Sequence, residues 1–528
     1  MKPSKLIYAL CIPAVMAVSC KKSFLDRPAL DGTTLSNYYN TASEVRGLTA
    51  TLYGIPWSGY DNRAMDCIGD VMAGNSYTGD GNADDAPFKN LTITSGSARL
   101  AEAWKVFYKI GGWSSEYIKA LEQKKATGTS ASFIDPAIAE CHFMRATVYF
   151  YITRIWGHVP IVTDPAGVAL SGNFRIPRYI KEDVLKFVIE ELKIAEKDLP
   201  ESDVPGRLTK YAAKAMMAKV YLYMKDYDNA RVKAKEVIDS KKYTLVTNYG
   251  SLFNSSANNN STESIFAIQK KLATNPWGTG SQKQADRGPG NLQTTEASMW
   301  ELYVPTISMR DAYEQGDLRK GGSIMTHGWS NLAWKPKTGT AEYDNFMANG
   351  YKYDTIQPVG GMGGQKNETR SNIAKYVVGP GASYGGEPVL GMNTGINTML
   401  LRYSDVLLVY AEAILAGAAS TSNGDALAAF NEVRDRAGLQ DKTTITADDI
   451  LHERRVEFAF EGDYWFDIKR QGYAKANAII QAQNRGNADF AKFITPNFGK
   501  DEDMDLPVPA TEALANPALL EAPKPYNP

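Results

Sequence analysis

Helical periodicity governs two stretches of this chain and is missing from the stretch between them. From about 99 to 245, apolar residues recur at helical spacing. Thr209–Met224 is apolar on most faces (Ala212, Ala215, Met216, Val220, Tyr223), as a helix sandwiched between neighbours must be. The turn Asp226-Tyr227-Asp228 follows. Tyr227, Ala230, Ala234, Val237 and Ile238 then line up as one apolar stripe of a second helix. Small residues on both helices allow close approach. Similar pairs are predicted at 100–124 with 136–157, within 180–199, and at 398–417 with 423–437.

The unit Arg207–Ser240 has the length of a tetratricopeptide repeat, about 34 residues. The predicted fold class is therefore mainly α. About four tetratricopeptide-like helical pairs support a loop-rich, mostly irregular ligand-binding region with few short strands. That region, 246–397, is rich in Gly, Asn, Ser and Pro, as in Asn258-Asn259-Asn260 and Gly360-Gly361-Met362-Gly363-Gly364. Ser264–Gln269 and Ala374–Val378 are its β-like runs. Long irregular segments inside compact proteins usually carry function. The loops at 54–98 have the same Gly-rich, aromatic character.

The N-terminus changes the picture. Lys2 and Lys5 precede an apolar run, Leu6–Val18, interrupted by Pro13. A bilayer span needs roughly 20 residues, so this run reads as the core of a secretion signal. Ala17-Val18-Ser19 then leads into Cys20, a small-residue approach like a bacterial lipobox. The expected organisation is a lipoprotein signal at 1–19 and one domain at 20–528. Within that domain lie a tether and N-terminal loops (20–98), helical repeats (99–245), the insert (246–397), and C-terminal helices and tail (398–528).

With 58 Lys plus Arg against 59 Asp plus Glu, no overall field recruits nucleic acid. Of four Cys, only Cys67 and Cys141 remain once the signal is removed and Cys20 is acylated, so this is no disulfide scaffold. Those two could pair once, though nothing local demands it. Four His argue against a multi-His metal site, whereas 29 Tyr suit a surface that grips flat apolar faces.

Several segments, in order, resemble the SusD/RagB family of outer-membrane nutrient-binding lipoproteins. They begin with Phe24-Leu25-Asp26 and Pro28 after Cys20. The helix Ala139–Trp156 with Phe143-Met144-Arg145-Ala146 and Gly157-His158-Val159-Pro160 comes next, then Gly206-Arg207-Leu208-Thr209-Lys210. Leu401-Arg402-Tyr403-Ser404-Asp405-Val406-Leu407-Leu408, read as helical, continues the match. So do Asn431-Glu432-Val433-Arg434, Arg436-Ala437-Gly438-Leu439, Glu453-Arg454-Arg455 through Glu461-Gly462, and Trp465-Phe466-Asp467. Leu506-Pro507-Val508-Pro509 with Asn516-Pro517 closes it. The resemblance implies tetratricopeptide-like helices cradling a ligand face, capture of oligosaccharides, and anchorage in the outer membrane facing the exterior. It also implies a TonB-dependent, SusC-like transporter as partner. Peptide capture, as in RagB-like receptors, is the alternative ligand class, and a glycoside hydrolase the alternative activity.

Glu453, Glu457 and Glu461, four residues apart, could serve glycoside hydrolysis if they flanked a groove. Set among Arg402, Arg454, Arg455 and Arg470, they are expected to form a structural ion-pair network, and no catalytic residue is assigned. Gly381-Ala382-Ser383-Tyr384-Gly385 fits a nucleophile elbow, but Gly386 and Pro388 preclude the helix it needs. His452-Glu453 starts a zinc motif that Val456 ends. Asp80–Asp85 begins like a calcium loop, so Ca2+ is the one cofactor left open, against a solvated turn.

Sugar binding calls for flat aromatics beside amides and carboxylates. The candidates are Trp57, Tyr60 and Tyr77 near Asn75, then Trp277 in a Pro-Gly loop, and Trp329 and Trp334 around Asn331. Each loop Trp is weighed against plain core packing. Trp104, Trp113, Trp156, Trp300 and Trp465 fall on helical patterns and are expected in the core.

Overall fold

The helical pairs follow from faces that cannot be left in water. Helices α1 (Ala42–Ala50), α2 (Ala98–Ala126), α3 (Ala131–Trp156), α4 (Lys181–Asp198), α5 (Lys210–Tyr223) and α6 (Tyr227–Asp239) come first. After the insert come α7 (Tyr403–Leu415), α8 (Gly424–Arg436) and α9 (Ala447–Glu457). In this computed structural model, residues 38–79, 82–273, 278–335, 350–353, 369–486 and 496–527 are described. Each helix from α2 to α8 packs on the next, so the line runs from α6 straight onto α7 across the insert. Every residue of α3 from Ala139 to Trp156 is buried because α2 and α4 flank it. Gly157, with φ 68°, ends it in a conformation that glycine takes at little cost. Helix α6 buries only Ala230, Ala234 and Val237, the stripe its sequence predicts. Among the described residues no helix is long and apolar enough to cross a membrane.

Strands β1 (Ser264–Ile268) and β2 (Thr398–Arg402) pair antiparallel and draw the two ends of the insert together. This pairing lets α7 resume the repeat. The segment read as a helix from Leu401 is therefore strand through Arg402, and α7 begins at Tyr403. Ala374–Val378, expected as a strand, is a turn and loop, and only Asn372–Ile373 forms a ladder there, with Ile324–Met325. Tyr376, with φ 68°, breaks the extended run. Two small cores support the insert, one around Trp334 and Tyr351, the other around Phe253 and Tyr376. Cys67 and Cys141 are both free and buried.

Charged side chains fasten the C-terminal helices to everything else. Lys219 of the apolar helix α5 reaches Asp405 at 2.8 Å and Asp463 at 2.5 Å. Arg454 holds Asp405 at 2.6 Å and Asp467 at 2.9 Å. The row Glu453, Glu457 and Glu461 is not one helical stripe: α9 stops at Glu457, and Glu461 follows a turn in which Phe460 takes φ 64°. Glu453 meets Arg319 at 2.5 Å and Arg434 at 3.1 Å. Glu457 is paired with Arg319, Arg402 and Arg436. Glu461 takes Arg402 at 2.9 Å and Lys375 at 2.8 Å. All three carboxylates are buried and paired with cations.

Candidate functional site

The site begins with an unusual stretch of helix. Tyr60–Ala64 and Cys67–Val71 form wide π-helical turns, which are rare and frequent at functional sites. Gly69 makes this packing possible, since a Cβ there would lie 2.1 Å from the Gly462 carbonyl oxygen. The turns bury Asp61, Asp66 and Asp70 and leave Asn62 and Arg63 half-exposed. Asp61 takes Lys270 at 2.6 Å and Lys283 at 3.4 Å. Asp66 pairs with Arg287. Asp70 accepts from the backbone amides of Phe460 (3.1 Å) and Gly462 (2.8 Å). Burial and the neighbouring Asp66 push its carboxyl up to about 6.

The short helix Lys283–Arg287 of the insert is buried throughout, although it carries four polar or charged side chains. Lys283 and Arg287 reach the π-helical aspartates, whereas Asp286 reaches Arg63 of the same turns. Its Oδ1 accepts from Arg63 Nε at 3.1 Å, and Arg63 Nη2 lies 3.0 Å from the same oxygen. The Arg63 guanidinium in turn sits 5.5 Å from the centre of the Trp300 ring. Trp300 is half-buried, and its backbone amide donates to the Ala285 carbonyl at 2.6 Å. Glu301 follows with φ 50°, a left-handed conformation costing about 1–3 kcal/mol for a residue with a side chain. Trp300 is thus a partly exposed indole held on a strained turn beside an ion pair. Arg99, paired with Asp85 at 2.7 Å, and the exposed Glu102 continue this polar edge.

The sequence candidates divide against this frame. Trp57 is fully buried, with Nε1 donating to the Leu52 carbonyl at 2.8 Å and its ring edge-on to Phe107, Tyr151 and Phe266. Tyr60 is fully buried against Phe107, with ring centres 4.7 Å apart. Neither offers a face to a ligand, which corrects the reading of that loop: its aromatics are the anchors that fix it to α2 and β1. Asn75 is fully buried and tied to Asp70 and to Arg455 at 3.0 Å, so its role is structural. Trp334, 6 % exposed, is the centre of a small core rather than a platform.

Tyr77 remains half-buried in a ladder with Val304–Pro305, with Lys89 Nζ 4.9 Å above its ring. Trp329 is half-buried, forming the outer wall of the Trp334–Tyr351 cluster at 5.6 Å and 6.1 Å between ring centres. Tyr351 donates to Asn291, and the Gly290 amide donates to Glu301, so this cluster joins the turn that carries Trp300. Trp277 and Cys20 lie outside the described residues. Lys271 N–H donates to the Thr279 carbonyl at 2.8 Å, and Gly278 lies beside the exposed Ile55. Trp300, expected in the core, packs on the main core but stays half-buried. Its flank Met299-Trp300-Glu301-Leu302 scans as part of a helix, and no local signal marks the turn.

No group of three or more His, Cys, Asp or Glu side chains suited to a metal occurs among the described residues. Asp80, the first position of the calcium-like loop, lies outside them. The last carboxylate of that loop, Asp85, is taken by Arg99 and by the Tyr303 hydroxyl at 2.6 Å. Ser383 sits in a single 3₁₀ turn that Gly385 ends, so no helix follows it.

Two family models match this sequence. One, described as SusD family, covers residues 262–524; the other, described as starch-binding associating with outer membrane, covers 40–222. A SusD-like protein of Bacteroides ovatus is 31% identical across 99% of this chain and 98% of its own length. SusD-like protein P2 of Formosa agariphila is 25% identical across 83% of this chain and 82% of its own. A crystal structure with xylogluco-oligosaccharide matches at a TM-score of 0.78 and 30% identity, covering 92% of this chain and 99% of that one.

Proposed function

This chain belongs to the SusD family, and from that premise we propose that it is a surface glycan receptor. On this reading it captures oligosaccharides for import through a TonB-dependent, SusC-like transporter and does not cleave them. The observation that carries the reading is Trp300, a half-exposed indole on the loop face with Arg63 beside it. A pyranose ring has an apolar CH face and a rim of hydroxyls, so it stacks on such an indole while the rim bonds to adjacent polar groups. Arg63 supplies one such group beside the ring. The 30%-identical structure with xylogluco-oligosaccharide supports a sugar as the ligand class.

The absence of cleavage is part of the proposal. The carboxylate row most suggestive of a hydrolase, Glu453 to Glu461, is buried and occupied by arginines and Lys375. Anchorage through acylated Cys20 is likewise proposed, supported by the approach Ala17-Val18-Ser19. Stable membrane attachment needs two acyl signals, which a diacylated Cys provides. Cys20→Ala should move the protein from the detergent phase to the aqueous one, and unchanged partitioning would contradict the anchor. A glycan array followed by calorimetry, with xylogluco-oligosaccharide as first probe, tests the ligand class. Release of products from any bound glycan, or binding to peptides alone, would overturn the reading.

A further inference from the structure

We propose that Asp286 is the positioning residue of this platform: acting through Arg63 it sets the orientation of the Trp300 ring, and its protonation frees that ring, so glycan capture weakens on acidification. The inference rests on the reading of Trp300 as the stacking surface. Asp286 is fully buried and never reaches the surface itself, so it can influence a ligand only through its neighbours. It holds the Trp300 turn in two ways. Its carbonyl accepts from the amides of Leu302 at 2.7 Å and Tyr303 at 3.1 Å, which fixes the backbone just after Trp300. Its carboxylate grips Arg63 through one oxygen, and Arg63 lies against the indole. The other oxygen, Oδ2, is buried and has no hydrogen-bond donor among the described residues. That oxygen is the natural seat for a proton.

The surroundings favour protonation. On its own helix, Lys283 and Arg287 turn away toward Asp61 and Asp66. From the π-helical turns Arg63 faces Asp286, with Asp66 behind; from the neighbouring turn comes Asp85, which Arg99 of α2 neutralises. Tyr303 stands alongside, its hydroxyl committed to Asp85. Burial drives the Asp286 carboxyl up to about 6, with Arg63 pulling down and Asp66 and Asp85 adding to the rise. Because the folded value is raised, the native state takes up this proton readily. Stability at this group therefore grows as the pH falls through about 6 toward the ordinary carboxylate value. Binding and stability should move in opposite directions, which a merely structural aspartate would not produce.

Fluorine NMR of the full chain carrying 5-fluorotryptophan tests this without any ligand, Trp300→Phe identifying the resonance. In the wild type the Trp300 signal should shift between about pH 7.5 and about pH 5, with a midpoint near 6. In Asp286→Asn it should stay at its acid position throughout. If that variant does not fold, Arg63→Gln makes the same test, because the ring must then ignore pH. A signal that does not titrate in the wild type, or that titrates identically in the variants, overturns the inference. In a second arm, wild-type affinity for xylogluco-oligosaccharide should fall roughly three- to tenfold over that pH range, and Asp286→Asn should be weak at both ends. If that sugar binds at neither pH, the platform reading fails, and the fluorine measurement still decides the role of Asp286.

Discussion

Three arginines converge on Glu457, whereas a single arginine reaches Asp286. Both carboxylates are fully buried, and burial alone would raise both. Around Glu457, Arg436, Arg402 and Arg319 outweigh that cost and hold the group well below the usual carboxylate range. Around Asp286, Arg63 does not, and the group rises to about 6. The difference teaches where this molecule keeps its rigidity and where it keeps room to respond. At the junction of α8, α9, β2 and the insert, the arginines on Glu457 are shared with Glu263, Asp317, Glu453 and Glu461 in one interlocked network, and the group is fixed. The edge beneath Trp300 is undercompensated and poised.

The largest expected effect lies on the fixed side. Glu457→Gln leaves three buried guanidinium groups facing a neutral amide and should cost roughly 3–5 kcal/mol, read by urea unfolding. A loss below about 1 kcal/mol would mean that solvent screens the network as it does a surface pair. Acidification sharpens the contrast. Stability contributed by Glu457 is fully present above its ordinary value of 4.5 and is lost progressively as the pH falls from there to its depressed folded value, opposite in sign to Asp286. Thermal melting of wild type and Glu457→Gln from neutral to strongly acid pH should converge at the acid end; parallel curves would contradict the assignment. Trp57→Ala should cost about 3–5 kcal/mol as a core truncation, with any binding change following from the lost fold. Trp329→Ala should be milder, because only part of that ring is buried.

Much of the repeat was legible because it rests on local pattern. The stripe Ala230, Ala234 and Val237 and the all-apolar α5 state their burial in their own spacing. The loop face was less legible, and Trp57 and Trp300 show why. The sequence weighs Trp57 as a loop aromatic against core packing and expects Trp300 in the core; the structure buries Trp57 fully and leaves Trp300 half-buried, packed on the edge of the main core. Trp57 is buried by Phe107, Tyr151 and Phe266, which lie far along the chain, so no local window reveals them. Trp300 leaves its apparent helix because buried pairs between the π-helical aspartates and the Lys283–Arg287 helix dictate a different path. Glu461 shows the same limit: its spacing extends the α9 stripe, yet a left-handed Phe460 turns the chain first.

The central claim, that an indole held by Arg63 forms the glycan platform, is tested most directly by Trp300→Ala, measured by calorimetric titration with an oligosaccharide the wild type binds and by thermal melting of the same sample. Affinity should fall by on the order of 1–3 kcal/mol, by analogy with a base stacked on an aromatic side chain, and the melting temperature should stay close to that of wild type. Unchanged affinity would move the platform to Tyr77, Trp277 or Trp329, and a collapse in melting temperature would show that Trp300 belongs to the core.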